Sequence, residues 1–254
     1  MAQKSPDHRE AVSQAGALVK KCISAHGFLA SPTNSDNYRR IWGRDGIIIG
    51  LAGLMTNEDD MVAALRRTLQ TLADHQGPHG EIPSNVDVLS GRVSYGGMAG
   101  RVDADLWYVI GCGEYWRATG DDGFIEHMMT SIEKVIFLLG AWEFNNRGLL
   151  YVPATGDWAD EYLHNGYVLY DQLLYLQALR TLHYLNKQVL GRDDHELRTR
   201  ISLLTHRIQA NYWFGSTEGT PDDVYHEILF EKGRKAADRC ARQYWLPFFS
   251  PHGY

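Results

Sequence analysis

Apolar residues recur at helical spacing along most of the chain. In EAVSQAGALVKKCISAH the pattern sets Val12, Ala15, Leu18, Val19 and Cys22 on one side, predicting an amphipathic helix with that side inward. GIIIGLAGLM is apolar almost all round and is expected to be buried on every side. NEDDMVAALRRTLQTLADHQ follows, with acids in its first turn and a periodic apolar face. Four more long helices are predicted over DADLWYVIGCGEYWRATGD, DGFIEHMMTSIEKVIFLLGAWEF, YVLYDQLLYLQALRTLHYLN and DDHELRTRISLLTHRIQANYWF, with a short one near 235–243. Two stretches lose the period and read as loops: residues 77–101, rich in Gly, Pro, Ser and Asn, and NNRGLLYVPATGDWADEYLHNG.

The helices come in pairs. Short polar turns such as ATGDDG and GRDDHE join one end of each pair, and long Gly/Pro/aromatic loops join the other. No alternating strand–helix rhythm is present, so the chain is all-α, an array of helical hairpins. An open superhelix and a closed toroid both fit. The absence of a fixed-period repeat argues against the familiar solenoids. In a toroid, the long loops and inner-helix ends converge on a central pit. The 254 residues suit a single domain with a sizeable core.

Charge and composition narrow the partners. The net charge is −6, with both signs spread along the chain and no basic block, which speaks against nucleic acid. Three cysteines, Cys22, Cys112 and Cys240, stand far apart without a CxxC pair, as expected of reduced thiols in the cytoplasm. MAQKSPDHRE lacks the apolar core of a signal peptide, and no apolar run approaches the roughly 20 residues that span a bilayer. Seven Trp and fourteen Tyr are the informative part of the composition. Most are expected in the core, but such rings also suit amphipathic ligands such as sugars.

Three clusters carry candidate chemistry. Trp42-Gly43-Arg44-Asp45 sets a guanidinium beside a carboxylate at a helix start. That pair can grip neighbouring sugar hydroxyls, and Asp45 equally reads as a plain helix cap. Asp103 and Asp105 open an apolar, aromatic helix ahead of Trp107. A carboxyl among aromatics has its charged form disfavoured and can act as a general acid. Asp157, Trp158, Asp160 and Glu161 crowd carboxylates and an indole into one loop. Clustered carboxylates can also hold calcium, but the EF-hand pattern is absent. His75, His79 and His164 lack zinc-ligand spacing. No GxSxG elbow, Walker loop or dinucleotide glycine pattern occurs. No metal or organic cofactor is expected.

Taken in order, WGRDG, RVDADLWYVIGCGEYWRATGD and GDWADE resemble the six-hairpin, or (α/α)6, glycosidases over residues 38–185. Closest in pattern are the amylo-1,6-glucosidase domain of glycogen debranching enzymes, the neutral invertases, and the glucosylglycerate and mannosylglycerate hydrolases. The resemblance implies a single catalytic domain over 1–254 that hydrolyses an α-glucoside or related small glycan with inversion. It implies Asp103 as general acid. Trp42, Arg44, Asp45, Asp105, Trp107, Asp157, Trp158, Asp160 and Glu161 become sugar contacts. A closed six-hairpin barrel needs a dozen helices, whereas about eight are legible here. The second carboxylate of the family comes late, and only Glu227 and Glu231 stand late in this chain. The expectation is therefore an incomplete toroid without its last hairpins, its base beyond residue 254 and an open edge that self-associates. A sugar epimerase or phosphorylase of the same fold, and a non-catalytic carbohydrate- or protein-binding scaffold, are the alternatives.

Overall fold

Turn chemistry sets the hairpins. The computed structural model describes residues 8–33, 36–97, 100–144, 147–159, 164–214, 223–239 and 243–254. Helix α2 (Gly43–Thr56) ends where Asn57 turns left-handed at φ 54°, and α3 (Asp59–Asp74) starts two residues later. Helix α4 (Val102–Thr119) ends at left-handed Gly120, and the Asp121 side chain then caps α5 (Asp122–Ala141) by accepting from Phe124 N. Helix α6 (Leu169–Gln188) is followed by α7 (His195–Tyr212), capped by Asp194 in the same way. Helix α1 (His8–Lys21) precedes these three hairpins, and α8 (Glu227–Asp238) follows them.

The hairpins stand side by side in two layers. In the inner layer, α4 packs against both α2 and α6; α3, α5 and α7 lie behind their partners as the outer layer. One hydrophobic core fills the space between layers, and a small satellite forms around Phe214 and Phe230. This is the (α/α) toroid arrangement expected from the helical pairing. Among the described residues, no helix is long and apolar enough to cross a membrane.

Glycines let the inner layer close. A Cβ at Gly46 would lie 2.9 Å from Thr68 Cγ2, one at Gly53 would lie 3.0 Å from Met61 Cβ, and one at Gly50 would collide with Leu65. These three therefore seat α2 directly on α3. Gly111 of α4 gives the same close approach to Ile47, and Gly113 to Thr181 of α6.

That seating corrects one expectation. Helix α2 is not buried on every side: Gly43, Gly46, Ile47, Gly50 and Gly53 are buried, while Ile48 is 45% and Met55 90% exposed. Its neighbours pack on the face made by the glycines and Ile47, so Ile48 and Met55 are left exposed. Helix α1 is a second correction, since it buries no residue and Val12 is 69% exposed. Among the described residues only Val19 and the following Cys22 reach the core side.

Short strands that the sequence pattern did not announce lie in the aperiodic stretch 77–101 and, at 23–24, 167–168 and 213–214, at the ends of stretches expected to be helical. Strands β1 (Ile23–Ser24) and β2 (Gly27–Phe28) pair after α1. Strands β3 (Ile41–Trp42), β4 (Asn85–Asp87) and β5 (Arg92–Ser94) form an antiparallel sheet, with Trp42 opposite Asn85. Near the end, β8 (Tyr244–Trp245) pairs with β7 (Trp213–Phe214), and β9 (Phe248–Phe249) with β6 (Tyr167–Val168). Runs of two or three residues are too short for alternation to show. The late helix also starts earlier than expected, because His226 caps it at Leu229 N.

Overpacking separates a structural glycine from an incidental one. Gly50→Ala should cost about 1–3 kcal/mol because buried Leu65 cannot move aside. Gly123→Ala, with no heavy atom within 4 Å of the new Cβ, should be neutral or stabilise by up to about 1 kcal/mol. Urea unfolding of the two variants checks the contrast.

Candidate active site

Strand β3 delivers the first wall. Its pairing with β4 fixes Trp42, and Gly43 N donates to Ser84 O at 2.9 Å as α2 begins. A Cβ at Gly43 would lie 2.8 Å from Pro83 O and 3.0 Å from Ala104 Cβ, so this residue brings the start of α2 onto the start of α4. Asp45 makes no cap: Trp42 holds the cap position without a side-chain bond, and Asp45 lies in the first turn beside Arg44. The acid is free for the wall rather than for the helix end.

The first turn of α4 supplies the floor. Asp103 is 1% exposed, and Arg44 Nη1 donates to its Oδ2 at 2.9 Å. Burial raises the Asp103 pKa, the nearby charges of Arg44 and Arg101 lower it, Asp157 adds to the rise, and the net shift is upward. The remaining wall comes from the loop before α6. Val102 N donates to Gly156 O at 2.9 Å, and Arg101 donates to Thr155 O and, at 3.1 Å, to Asp157 O. Asp157 is buried, with Ala159 N donating to Oδ1 and His164 Nδ1 at 3.1 Å from Oδ2.

These elements form a cleft of about 110 Å³. Of the expected residues, Trp42, Arg44, Asp45, Asp103 and Trp158 line it together, and Tyr38, Ser84 and Arg101 join them. Tyr38 stacks on Trp42 at 6.0 Å between centroids, and Trp158 is half exposed across the opening. Asp157 stands behind the wall, holding the loop rather than lining the cleft. Asp105 turns away on the far side of α4, where its Oδ1 accepts from Ile82 N at 2.6 Å. It is a brace for the β4 approach and not a lining residue, since two residues along a helix reverse the direction of a side chain. Trp107 sits one turn further on, its Nε1 donating to Tyr170 OH at 2.9 Å, behind the lining. Asp160 and Glu161 lie outside the described residues. Glu227 and Glu231 do not line the cleft; Glu231 pairs with Arg234 on α8.

One carboxyl escaped the sequence reading. Asp171 is fully buried in the first turn of α6, and neither oxygen has a hydrogen-bond partner among the described residues. Burial, with Asp103 and Asp157 nearby, pushes its pKa well above the usual carboxylate range. Its signal was present: Asp171 falls on the buried stripe of α6, four residues before Tyr175 and eight before Leu179. Among the described residues, no group of three His, Cys, Asp or Glu side chains is placed to hold a metal ion.

Residues 12–220 match the family model described as alkaline and neutral invertase. The chain belongs to that family. It is 25% identical over 233 residues to a probable alkaline/neutral invertase A, chloroplastic, of Arabidopsis thaliana, covering 78% of this chain and 36% of that protein. It is 23% identical over 206 residues to an uncharacterized glycosyl hydrolase of Methanocaldococcus jannaschii, covering 79% of this chain and 31% of the relative. The chain thus spans about a third of the length of these relatives. Among solved structures, a GH78 family rhamnosidase of Bacillus sp. GL1 superposes with a TM-score of 0.62 at 19% identity, over 80% of this chain and 21% of that one. That likeness speaks for the fold alone.

Raised carboxyls make stability depend on pH in a defined sense. Asp105 and Asp171 hold their protons more tightly folded than unfolded. Their contribution is complete below about pH 4 and is lost as pH rises toward the folded-state value. Asp171→Asn should therefore flatten the fall of unfolding free energy as pH rises above about 4, by up to about 1.4 kcal/mol per pH unit. Urea titrations across that range measure the slope, and an unchanged slope would mean that Asp171 is ionised in the fold.

Proposed function

We propose that this chain carries the acid and sugar-gripping part of a glycoside hydrolase acting on an α-glucoside or related small oligosaccharide with inversion. The observation that supports it most is the Arg44–Asp103 pair at the floor of an aromatic-walled cleft. Burial favours the neutral form of Asp103, which suits a group that must protonate a leaving oxygen. Arg44 and Asp45 grip glycone hydroxyls, and Trp42 and Trp158 offer ring faces. Asp160 and Glu161 belong to the same proposal as contacts from the loop after Trp158. Inversion requires a second carboxylate on the opposite face of the sugar, roughly 6.5–9.5 Å from the acid. We propose that the base comes from outside the described residues lining the cleft, whose carboxylates are Asp45 and Asp103. Sucrose is the first substrate to test, because the Arabidopsis relative is named an invertase.

The concave face supports the same picture. Ile48, Met55, Leu173 and Tyr184 are exposed on the inner helices, and Leu51, Leu54, Met55 and Ile110 line a cavity of about 470 Å³ there. Further hairpins would cover this face; without them it drives self-association. The buried free thiols Cys22 and Cys112 fit a cytoplasmic setting.

Turnover and binding should separate at Asp103. In a form of the protein that holds the base, with sucrose, glucosides and short α-glucans as substrates, Asp103→Asn should lower kcat by about 10²–10⁴-fold while leaving sugar affinity within a few-fold. Proton NMR of the first-formed anomer reports inversion. Sugar binding without release by a form that holds the base would favour the scaffold. Full activity of Asp103→Asn would overturn the acid assignment.

The open face makes its own forecast. Light scattering should show a concentration-dependent oligomer that Ile48→Lys together with Met55→Lys converts to monomer. A monomeric parent chain would remove the open-edge reading.

A further inference from the structure

A general acid must hold a proton, yet Asp103 is set against a group that favours its loss. The carboxyl is 2% exposed and accepts from Arg44 at 2.9 Å. A guanidinium at that distance stabilises the carboxylate. The other groups facing Asp103 come from three directions. Arg101 stands at the start of its own helix, Asp157 stands in the loop with His164 on its far oxygen, and Tyr170 and Asp171 face it from α6. Arg101 is tied to two backbone carbonyls, those of Thr155 and Asp157.

Arg44 is held differently. Its side chain is 28% exposed on the cleft wall, and its Nη2 stands 3.6 Å from Asp45 Oδ2, beyond hydrogen-bond length. Asp45 is itself 37% exposed. Two hydroxyls entering between Arg44 and Asp45 would compete with Asp103 for the same guanidinium.

We propose that Arg44 is a positioning residue that keeps Asp103 ionised until a glycone binds, and that the glycone draws the guanidinium onto its hydroxyls so that Asp103 takes up one proton from solvent. The hydrogen bond from Nη1 to Oδ2 breaks, bonds from Arg44 to sugar oxygens replace it, and the proton arrives from water. The acid is then loaded only when a sugar is in place. Burial works in the same direction as the release: it raises the Asp103 pKa while Arg44 lowers it, so withdrawing the guanidinium leaves burial less opposed. The proposal rests on the hydrolase reading and goes beyond it by assigning how the acid acquires its proton.

Two measurements test it, one with sugar and one without. Calorimetric titration with D-glucose and methyl α-D-glucoside, in buffers of equal pH and different ionisation heat, counts protons taken up per sugar bound. Uptake approaching about one proton is expected near neutral pH, and none with Asp103→Asn. Separately, carbon-13 NMR of the Asp103 carboxyl, assigned by its loss in Asp103→Asn, gives its titration midpoint. Arg44→Gln should raise that midpoint by about 1–3 pH units, and Arg44→Lys should restore most of it. Circular dichroism confirms that each variant is folded. Sugar binding without proton uptake, or an unmoved midpoint in Arg44→Gln, overturns the proposal and leaves the hydrolase reading standing. Failure of both sugars to bind removes that reading and the release step with it.

Discussion

Close approach of the inner helices is the constraint on which the rest depends. Gly46, Gly50 and Gly53 let α2 lie on α3, and Gly111 and Gly113 let α4 lie against Ile47 and α6. Side chains at those positions would push the axes apart and tilt the helix starts away from each other. Gly43 does the same at the mouth, against Pro83 and Ala104. The first turns of α2 and α4 therefore meet, and Arg44 reaches an aspartate 59 residues away in the chain.

The site gathers charge where charge is costly. Asp103, Asp157 and Asp171 are all nearly inaccessible, and each is handled differently. Asp103 has a guanidinium, Asp157 has a backbone N–H and a histidine, and Asp171 has no hydrogen-bond partner among the described residues. A buried carboxyl without a donor avoids the desolvation penalty by keeping its proton. Asp105 shows a further solution, in which one backbone N–H from Ile82 turns an acid into a structural brace. Four acids, three in the first turns of α4 and α6 and one in the loop between α5 and α6, thus take different roles from their surroundings.

The concave face makes the opposite demand. The glycine face of α2, with Ile47, is filled by α3 and α4, while Ile48 and Met55 are left exposed. An apolar face of that kind is stable in water only when covered. The self-association proposal rests on this exposed pair, and the chain spans about a third of the relatives it matches.

Much of this was legible in the residues themselves. Helical spacing located the paired helices within a few residues, because each buries a continuous stripe and stops at a left-handed or capped turn. The WGRDG and VDADLW runs marked the two helix starts that meet at the cleft, because Arg and Asp at the mouth of an apolar helix are hard to explain by stability alone. The rest was decided by tertiary structure. Which face of GIIIGLAGLM is buried depends on which neighbours accept glycine contacts, and composition is silent on that. Asp103 and Asp105 look alike in a string, yet 200° of helix rotation sends one to the cleft and the other to Ile82. Asp171 reads as an ordinary polar position until α7 and the Asp157 loop close over it. Local pattern determines where a helix forms; only packing determines what each of its side chains meets.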